Sequence, residues 1–200
     1  MNRMTRKNIF HTAVLCGIVL FIAGCSKQEN LKTDFQTAIN NYYQGHPRCL
    51  WSEAKKFPVQ AATADDSKTQ GYDALTDAGL LTRTTAEKKV LIIASKQVNN
   101  YDISNQGRSD WTADPTQPGY GNFCYGNPET TSIDNFTTAV NSSGQNTALV
   151  HYHFKIDNVP EWAKSQEMNT AFTKLASANT GSQPAQVALV KIGDHWQVSQ

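Results

Sequence analysis

Two segments in the first half of the chain carry apolar residues at helical spacing. In the first, apolar side chains recur every three or four positions until Gly45 interrupts the pattern. In the second, residues 68–78, Ser67 and Gln70 have the spacing of a capping box, and Gly79 is placed to end the helix. The apolar face of the first predicted helix consists of Leu31, Phe35, Ala38, Ile39 and Tyr42.

A predicted hairpin and a long loop follow the second helix. Residues 90–94 and 98–103 are rich in β-branched and aromatic residues, which favours two strands. Residues 109–128 are rich in Pro, Gly, Asn and Asp, a composition typical of an ordered loop. The aromatic residues of this segment are expected to pack around Cys124. The alternative is that they form an exposed surface that binds a carbohydrate or peptidoglycan. These residues are Trp111, Tyr120, Phe123 and Tyr125.

The last third of the chain has the pattern of an antiparallel sheet with one helix. Residues 131–140 and 147–156 are predicted strands, and the second of them alternates clearly between apolar and polar positions. Pro160 opens the predicted helix, since proline suits the first helical turn. Residues 185–198 predict a closing hairpin with its turn at Gly193.

The N-terminus has the pattern of a secretion signal. Arg3, Arg6 and Lys7 precede an apolar run over residues 9–23, which is too short for a membrane-spanning helix of about 20 apolar residues. The run ends in "FIAGC", which resembles the lipobox of bacterial lipoproteins, with an isoleucine where that family usually has leucine. The resemblance implies cleavage before Cys25 and attachment of acyl chains to that residue. The alternatives are a simple signal peptide with a chance cysteine, or an N-terminal membrane anchor.

The resemblance also implies a location. Ser26 follows the lipobox cysteine, and Gram-negative lipoproteins without aspartate at this position are sorted to the outer membrane. The expected location is therefore the cell envelope, with the protein lipid-anchored in the outer membrane and facing the periplasm. Residues 25–30 are then a short polar tether.

Removal of residues 1–24 changes the charge of the chain. The full chain has 18 Lys+Arg and 17 Asp+Glu, and the signal contains three of those cations and no carboxylate, so the mature charge is 15 − 17 = −2. No basic block survives, whereas proteins that bind nucleic acid usually have a basic face. The composition therefore argues against a nucleic-acid partner.

Two motifs nevertheless resemble part of a winged-helix domain. "GYDALTDAGLL" and "YDISNQGR" are similar to the recognition helix and the end of the wing in that superfamily, and the resemblance covers residues 68–110. It implies a fold fragment and no function, since fold does not determine function. The helix offers Asp73 and Asp77 where phosphate contacts need cations, so we interpret the motif as a rigid support or a protein-binding module.

These patterns combine into an α+β fold class. The expected architecture is an N-terminal helical and winged-helix-like part, residues 31–128, followed by a small antiparallel β-sheet part with one helix, residues 129–200. Residues 1–24 form the lipoprotein signal peptide, and residues 25–30 form the tether.

The cysteine content agrees with export. Cys16 leaves with the signal and Cys25 is the lipid site, so Cys49 and Cys124 remain and are expected to pair in an oxidising compartment. The closed loop of about 75 residues corresponds to a stabilisation of about 4 kcal/mol. The alternative is two buried free thiols. A redox CxxC site is excluded by the spacing.

The sequence contains one candidate arrangement of catalytic residues. Ser52 and Lys55 match S-x-x-K, but the chain lacks K-T-G and is short for that fold. His151 and His153 share a strand face, and with His195 they could provide the three imidazoles of a catalytic zinc site. No G-x-S-x-G, phosphate-loop or Rossmann pattern occurs. We therefore assign no catalytic residue, no metal and no cofactor.

Two functional hypotheses follow. The first is a non-enzymatic, lipid-anchored envelope lipoprotein that contacts the membrane through Cys25 and binds an unknown envelope protein or polymer, or has a structural role. The second is a small metal-dependent hydrolase that uses the three histidines. The layout of "CLW", "DAGLL", "GNFCYG" and a C-terminal W-x-V resembles that of uncharacterised bacterial lipoproteins, which implies no activity. We favour the first hypothesis.

Overall fold

The computed structural model describes residues 23–91 and 94–199. The helices in these ranges are α1 (Ala23–Gln44), α2 (Asp66–Asp77), α3 (Gly107–Asp110), a 3-10 helix (Glu161–Lys164), α4 (Gln166–Ala171) and α5 (Thr173–Ala178). The strands are β1 (Arg48–Cys49), β2 (Lys55–Lys56), β3 (Val59–Ala62), β4 (Leu81–Leu91), β5 (Ala94–Ile103), β6 (Trp111–Ala113), β7 (Tyr120–Val140), β8 (Asn146–Asp157), β9 (Gln183–Ile192) and β10 (His195–Val198).

The described strands form two antiparallel sheets. The larger has the order β1-β7-β8-β9-β10, and β2 and β6 also pair with β7. The smaller has the order β3-β5-β4. The 21-residue β7 organises the larger sheet, because its first part pairs with β1, β2 and β6 and its second part pairs with β8.

The predicted fold class is wrong, because the protein is mostly β. The part of the chain expected to be helical and winged-helix-like, residues 31–128, contains β1 to β6 and the start of β7. Within residues 45–91 and 94–106, α2 is the single helix, and the preceding helix α1 packs on the larger sheet, so the helical part expected around α2 is not formed. The strand β7 also runs through residues 128 and 129, where the sequence places the boundary between the two parts.

Several individual elements agree with the sequence pattern. The helix α2 occupies residues 66–77, and Gly79, with a φ of 79°, ends it as predicted. There, the Leu80 N–H donates to the Leu75 carbonyl at 2.9 Å, which is the Schellman arrangement. The predicted capping box is wrong, because Ser67 lies inside the helix and Asp65 is the N-cap residue. The strand β8 and the hairpin of β9 and β10 are also confirmed.

The prediction of one continuous helix after Pro160 is wrong. The helical segment is divided into the 3-10 helix, α4 and α5, and the breaks lie at Ser165 and Phe172, which both have extended backbone angles. The Ser165 hydroxyl accepts the Met168 N–H at 3.2 Å and so caps α4. The capping serine begins a new helix where the apolar spacing indicated a continuous one.

Two hydrophobic cores hold the elements together. The first lies between the small sheet, α2, α4, α5 and the start of β7, and it includes Leu75, Tyr101, Phe123 and Met168. The second lies between α1 and the strands β7 to β10, and its largest buried members on these elements are Phe35 and Tyr152. The amphipathic spacing of α1 thus has its expected consequence, since Phe35, Ala38 and Ile39 are buried against the larger sheet.

The substitution Phe35→Ala is expected to lower the free energy of unfolding by about 3–5 kcal/mol. The Phe35 side chain is fully buried, and its ring makes edge contacts with Phe136 and Trp196 at 5.0 Å between centroids. Urea denaturation of the full chain measures the change. Thr33→Ala, at an exposed position on the same helix, is the control and should change stability by less than about 0.5 kcal/mol. A loss below about 1 kcal/mol for Phe35→Ala would contradict this packing.

Candidate binding groove

Cys49 and Cys124 form a disulfide bond, which confirms the sequence prediction. The two residues lie directly opposite each other in the register of β1 and β7. The bond therefore fixes the segment that follows β1, which includes Leu50 and Trp51, against the larger sheet. Cys25, the predicted lipid-attachment residue, lies in the first turn of α1, and residues 25–30, expected to be a tether, are helical.

The three candidate metal ligands do not come together. His151 and His153 lie on β8, opposite Gln186 and Pro184 of β9, whereas His195 lies on β10 opposite Ile192. The residues opposite His151 and His195, Gln186 and Ile192, are six positions apart on β9, which is about 20 Å along the strand. No group of three or more His, Cys, Asp or Glu side chains suited to a metal occurs in the described part of the chain.

His153 has a different partner. Its Nδ1 lies 2.8 Å from Asp134 Oδ2, and the Ser132 hydroxyl also donates to Asp134, at 3.2 Å. These hydrogen bonds, that of His153 first, lower the pKa of Asp134. Ser132 and His153 both bind the Asp134 carboxylate and do not bind each other. His153 is therefore not placed to activate Ser132 as a nucleophile.

The aromatic residues expected to pack around Cys124 lie mostly inside the protein. Phe123 and Tyr125 are buried, which confirms the packing interpretation for them. Trp111 is half-buried and packs on Phe123 with ring centroids 5.0 Å apart. Tyr120 is also half-buried, with the Lys56 ammonium 5.7 Å from its ring centre. These residues form core and edge packing, and they do not present a flat aromatic platform.

A groove runs along α2 and consists of two adjoining cavities. We call it the α2 groove. Its acidic half has a volume of about 720 Å³ and its aromatic half about 600 Å³, and the two share Gln70 and Ala171 in their walls. The acidic half is lined by Asp66, Thr69, Gln70, Asp73, Ala74, Asp77, Gln166, Glu167, Thr170 and Ala171. The aromatic half is lined by Trp51, Lys55, Val59, Gln60, Ala61, Ser67, Lys68, Gln70, Gly71, Tyr72, Ala171 and Phe172.

The acidic half follows from the helical spacing of α2. Asp66, Asp73 and Asp77 recur with Gln70 at intervals of three or four residues, so they lie on one face of the helix. Glu167 of α4 faces them across the cavity. Within the described residues, Asp73 is the only one of these four carboxylates that forms an ion pair, with Arg83 at 2.7 Å. This half of the groove therefore has an excess of negative charge.

Asp73 is also tied to the first core. The buried Tyr101 donates its hydroxyl hydrogen to Asp73 Oδ1 at 2.8 Å, and Asn99 donates to the Tyr101 oxygen at 3.1 Å. Burial, followed by the hydrogen bond to Asp73, raises the pKa of Tyr101. Asp73 thus has a structural role, and Asp66, Asp77 and Glu167 are the carboxylates free to meet a ligand.

The aromatic half has Trp51 at its centre. The rings of Tyr72 and Phe172 lie 6.4 and 6.2 Å from Trp51 between centroids, and all three residues are half-buried. The Asn122 side chain holds the Trp51 backbone, because it accepts the Trp51 N–H at 3.3 Å and donates to the Trp51 carbonyl at 2.7 Å. The aromatic half is therefore a pre-formed crevice with an aromatic wall, and Lys55 and Lys68 also line it.

Sequence reasoning found only part of this site. The acidic residues of α2 were visible, but they served only as an argument against DNA. Glu167 and Phe172 lie about ninety positions after the end of α2 in the chain. No sequence motif indicates that α4 packs beside α2. Asn122 lies in a segment that the sequence predicts to be a loop. The composition of that segment does not indicate that the Asn122 side chain binds the Trp51 backbone.

No family model, curated protein or solved structure matches the chain. Among the described helices, none combines the length and the apolar character needed to span a membrane. The function is therefore argued from the geometry and charge of the chain's own residues.

Proposed function

We propose that this chain is an exported, lipid-anchored envelope lipoprotein with a non-enzymatic binding role. Acyl chains on Cys25 hold it to the membrane, in the outer membrane facing the periplasm. The α2 groove binds a basic segment of another exported protein.

Export and anchoring are supported by the N-terminal sequence and by the cysteines. The basic start, the short apolar run and the "FIAGC" ending agree with a lipoprotein signal. The Cys49–Cys124 disulfide is typical of a protein that functions in an oxidising compartment.

The observation that carries the binding role is the pairing of two unlike halves in one groove. The acidic half offers Asp66, Asp77 and Glu167, none of which forms an ion pair with a described residue. The aromatic half offers Trp51 and its neighbouring rings. Ligand sites commonly combine apolar walls with a few polar groups that fix orientation. A segment is complementary to both halves when its cationic side chains lie in the acidic half and its apolar side chains lie in the aromatic half, where Lys55 and Lys68 already provide positive charge.

A peptide is favoured over a glycan by the aromatic geometry. Trp51 is half-buried and has four rings around it at centroid distances of 6.2 to 6.4 Å, so other aromatic residues cover part of its surface. A sugar ring needs an open aromatic face for stacking, whereas apolar side chains need only a crevice.

Binding of the hexapeptide acetyl-Lys-Leu-Lys-Lys-Leu-Lys-amide to the full chain in detergent tests the proposal. We expect the Trp51 indole signal to shift in NMR spectra and the affinity to fall with salt, because exposed charge pairs are screened. The double substitution Asp77→Asn/Glu167→Gln should weaken binding about three- to tenfold, since each exposed pair contributes about 0.2–1 kcal/mol. Glu53→Gln/Asp102→Asn, the same charge change at exposed positions outside both grooves, should leave this binding unchanged.

Three results would count against the groove as a site for a basic peptide. One is equal affinity for the peptide with glutamate in place of lysine. Another is unchanged affinity in the Asp77→Asn/Glu167→Gln variant. The third is a shift of the Trp51 signal by chitotetraose with none by the lysine peptide, which would favour a polymer partner.

A further inference from the structure

A second groove lies beside the second hydrophobic core, between α1 and β10. Its volume is about 470 Å³. One face of α1 provides Asp34, Thr37 and Asn41, which are spaced three or four residues apart, and β10 with its preceding turn provides Asp194, Trp196 and Gln197. We call this groove the strand slot. It shares no residue with the α2 groove.

The strand β10 forms an unpaired edge of the larger sheet. It pairs with β9 on one side, and no described strand pairs with its other side. The Ser199 N–H donates to the Ala188 carbonyl at 2.9 Å. The backbone N–H and C=O groups of successive residues in an antiparallel strand point to opposite sides. The backbone groups of His195 and Gln197, like those of Ser199, therefore point toward β9. The N–H and C=O groups of Trp196 and Val198 therefore point to the free edge.

In the strand slot, these backbone groups lie beside side chains that are held in place by packing. The Trp196 ring is held by an edge contact with Phe35 at 5.0 Å, and Val198 also packs on the second core. The polar side chains of α1 stand across the cavity from them. An edge strand next to a helix is the arrangement in which an added strand gains main-chain hydrogen bonds and side-chain contacts together.

The charge of the slot limits the kind of strand. Asp34 and Asp194 are exposed, and neither forms an ion pair within residues 28–91 and 94–199. The slot has no lysine or arginine in its lining. Its charge is complementary to a strand with lysine or arginine at alternate positions, because alternate side chains of a strand point to the same face.

We propose that β10 accepts an extended, basic polypeptide segment from another protein as an additional strand of the sheet. The segment exchanges backbone hydrogen bonds with Trp196 and Val198 and directs its basic side chains toward Asp34 and Asp194. This inference does not depend on the α2 groove or on the lipid anchor.

The test uses the full chain in detergent and the peptide acetyl-Lys-Thr-Lys-Thr-Lys-Thr-amide. We expect hydrogen exchange of the Trp196 and Val198 backbone amides to slow at least fivefold on binding, which a contact through side chains alone would not cause. Asp34→Asn/Asp194→Asn should weaken binding about three- to tenfold. The same peptide with glutamate in place of lysine should bind at least tenfold more weakly.

Val198→Pro tests the edge itself. Proline removes an N–H that points away from β9, so the existing ladder keeps its hydrogen bonds and edge strands tolerate the ring. We expect binding to fall at least tenfold, whereas the Glu53→Gln/Asp102→Asn variant, changed outside both grooves, should bind this peptide as the unmodified chain does. Binding without slower exchange at Trp196 and Val198 would overturn the inference, as would unchanged affinity in Asp34→Asn/Asp194→Asn. If Val198→Pro fails to fold, these two measurements still decide.

Discussion

The substitution Cys25→Ala is expected to abolish acylation of the protein. We expect the unmodified protein extracted from membranes to begin at Cys25 and to carry three acyl chains. The variant should lack them and retain residues 1–24, because the proposed processing requires the lipid on the thiol. A single acyl chain gives only marginal and reversible membrane binding, so three chains give stable attachment. Intact-mass spectrometry of both proteins measures start site and acylation together.

Cys16→Ala is the matched control for this prediction. It removes a thiol from the same signal segment, but it should leave the acylated product unchanged. A protein that begins after residue 24 without acyl chains would indicate a simple secretion signal. A full-length, unacylated protein in the membrane would indicate an N-terminal anchor. Either result would overturn lipid attachment at Cys25 without affecting the tests of the two grooves.

The second large effect concerns the disulfide. Cys49→Ser/Cys124→Ser is expected to lower the free energy of unfolding by about 4 kcal/mol, because a sequence separation of 75 residues is closed in the unfolded chain only when the bond is present. Single domains have about 5–15 kcal/mol in total, so this is a large fraction. Denaturant unfolding followed by fluorescence measures the loss.

Reduction of the unmodified protein provides an independent comparison. The reduced protein should unfold at the same denaturant concentration as the double variant, since both lack the cross-link. If oxidised and reduced proteins unfold at the same concentration, the bond does not stabilise the fold. If the double variant is much less stable than the reduced protein, the serine side chains rather than the missing bond cause the difference.

Elements with a buried face were predictable from the sequence. The helix α1 buries Phe35 and Ile39, and β8 buries Val150 and Tyr152, so in both cases the apolar residues recur at the period of the element. Even there the sequence misplaced the start of α1, because residues 26–30 are all polar, although they belong to the helix.

The strand β4 shows why other elements were missed. It begins at Leu81, but residues 82–89 are polar or small and are exposed, so no apolar alternation reports the strand. It is held by backbone pairing with β5, from Leu81 opposite Ile103 onward. The sequence predicted the first strand over residues 90–94, but Leu91 ends β4 and Ala94 already begins β5, so the turn of the hairpin was placed too late in the chain; residues 92 and 93 of that prediction lie outside the described residues.

The start of β7 was missed for a different reason. Its glycines and asparagines gave it the composition of a loop, although the segment pairs with three strands. At Gly121 a Cβ atom would lie 2.4 Å from the Thr112 carbonyl oxygen and 2.6 Å from the Trp111 ring. The absence of a side chain permits this close approach of β6. Glycine here indicates tight packing inside a sheet, and local composition cannot distinguish that from a turn.

Neither groove was predictable as a site. Each combines residues from elements that are far apart in the chain, such as Asp77 with Glu167 and Asp34 with Asp194. The charges themselves were visible, but their meeting depends on sheet order and on the division of the last helical segment.

The packing of α1 has a consequence for the order in which the protein folds. Phe35 is near the start of the chain, yet its contacts are Phe136 and Trp196, and the latter lies on the last strand. A chain that emerges from a translocation channel with its N-terminus first exposes α1 long before β10 is available. Pairings between such distant residues are slow to form, and exposed apolar surface favours aggregation in the meantime. In a chain exported as proposed above, α1 is therefore the first of the described elements to emerge and among the last to be buried.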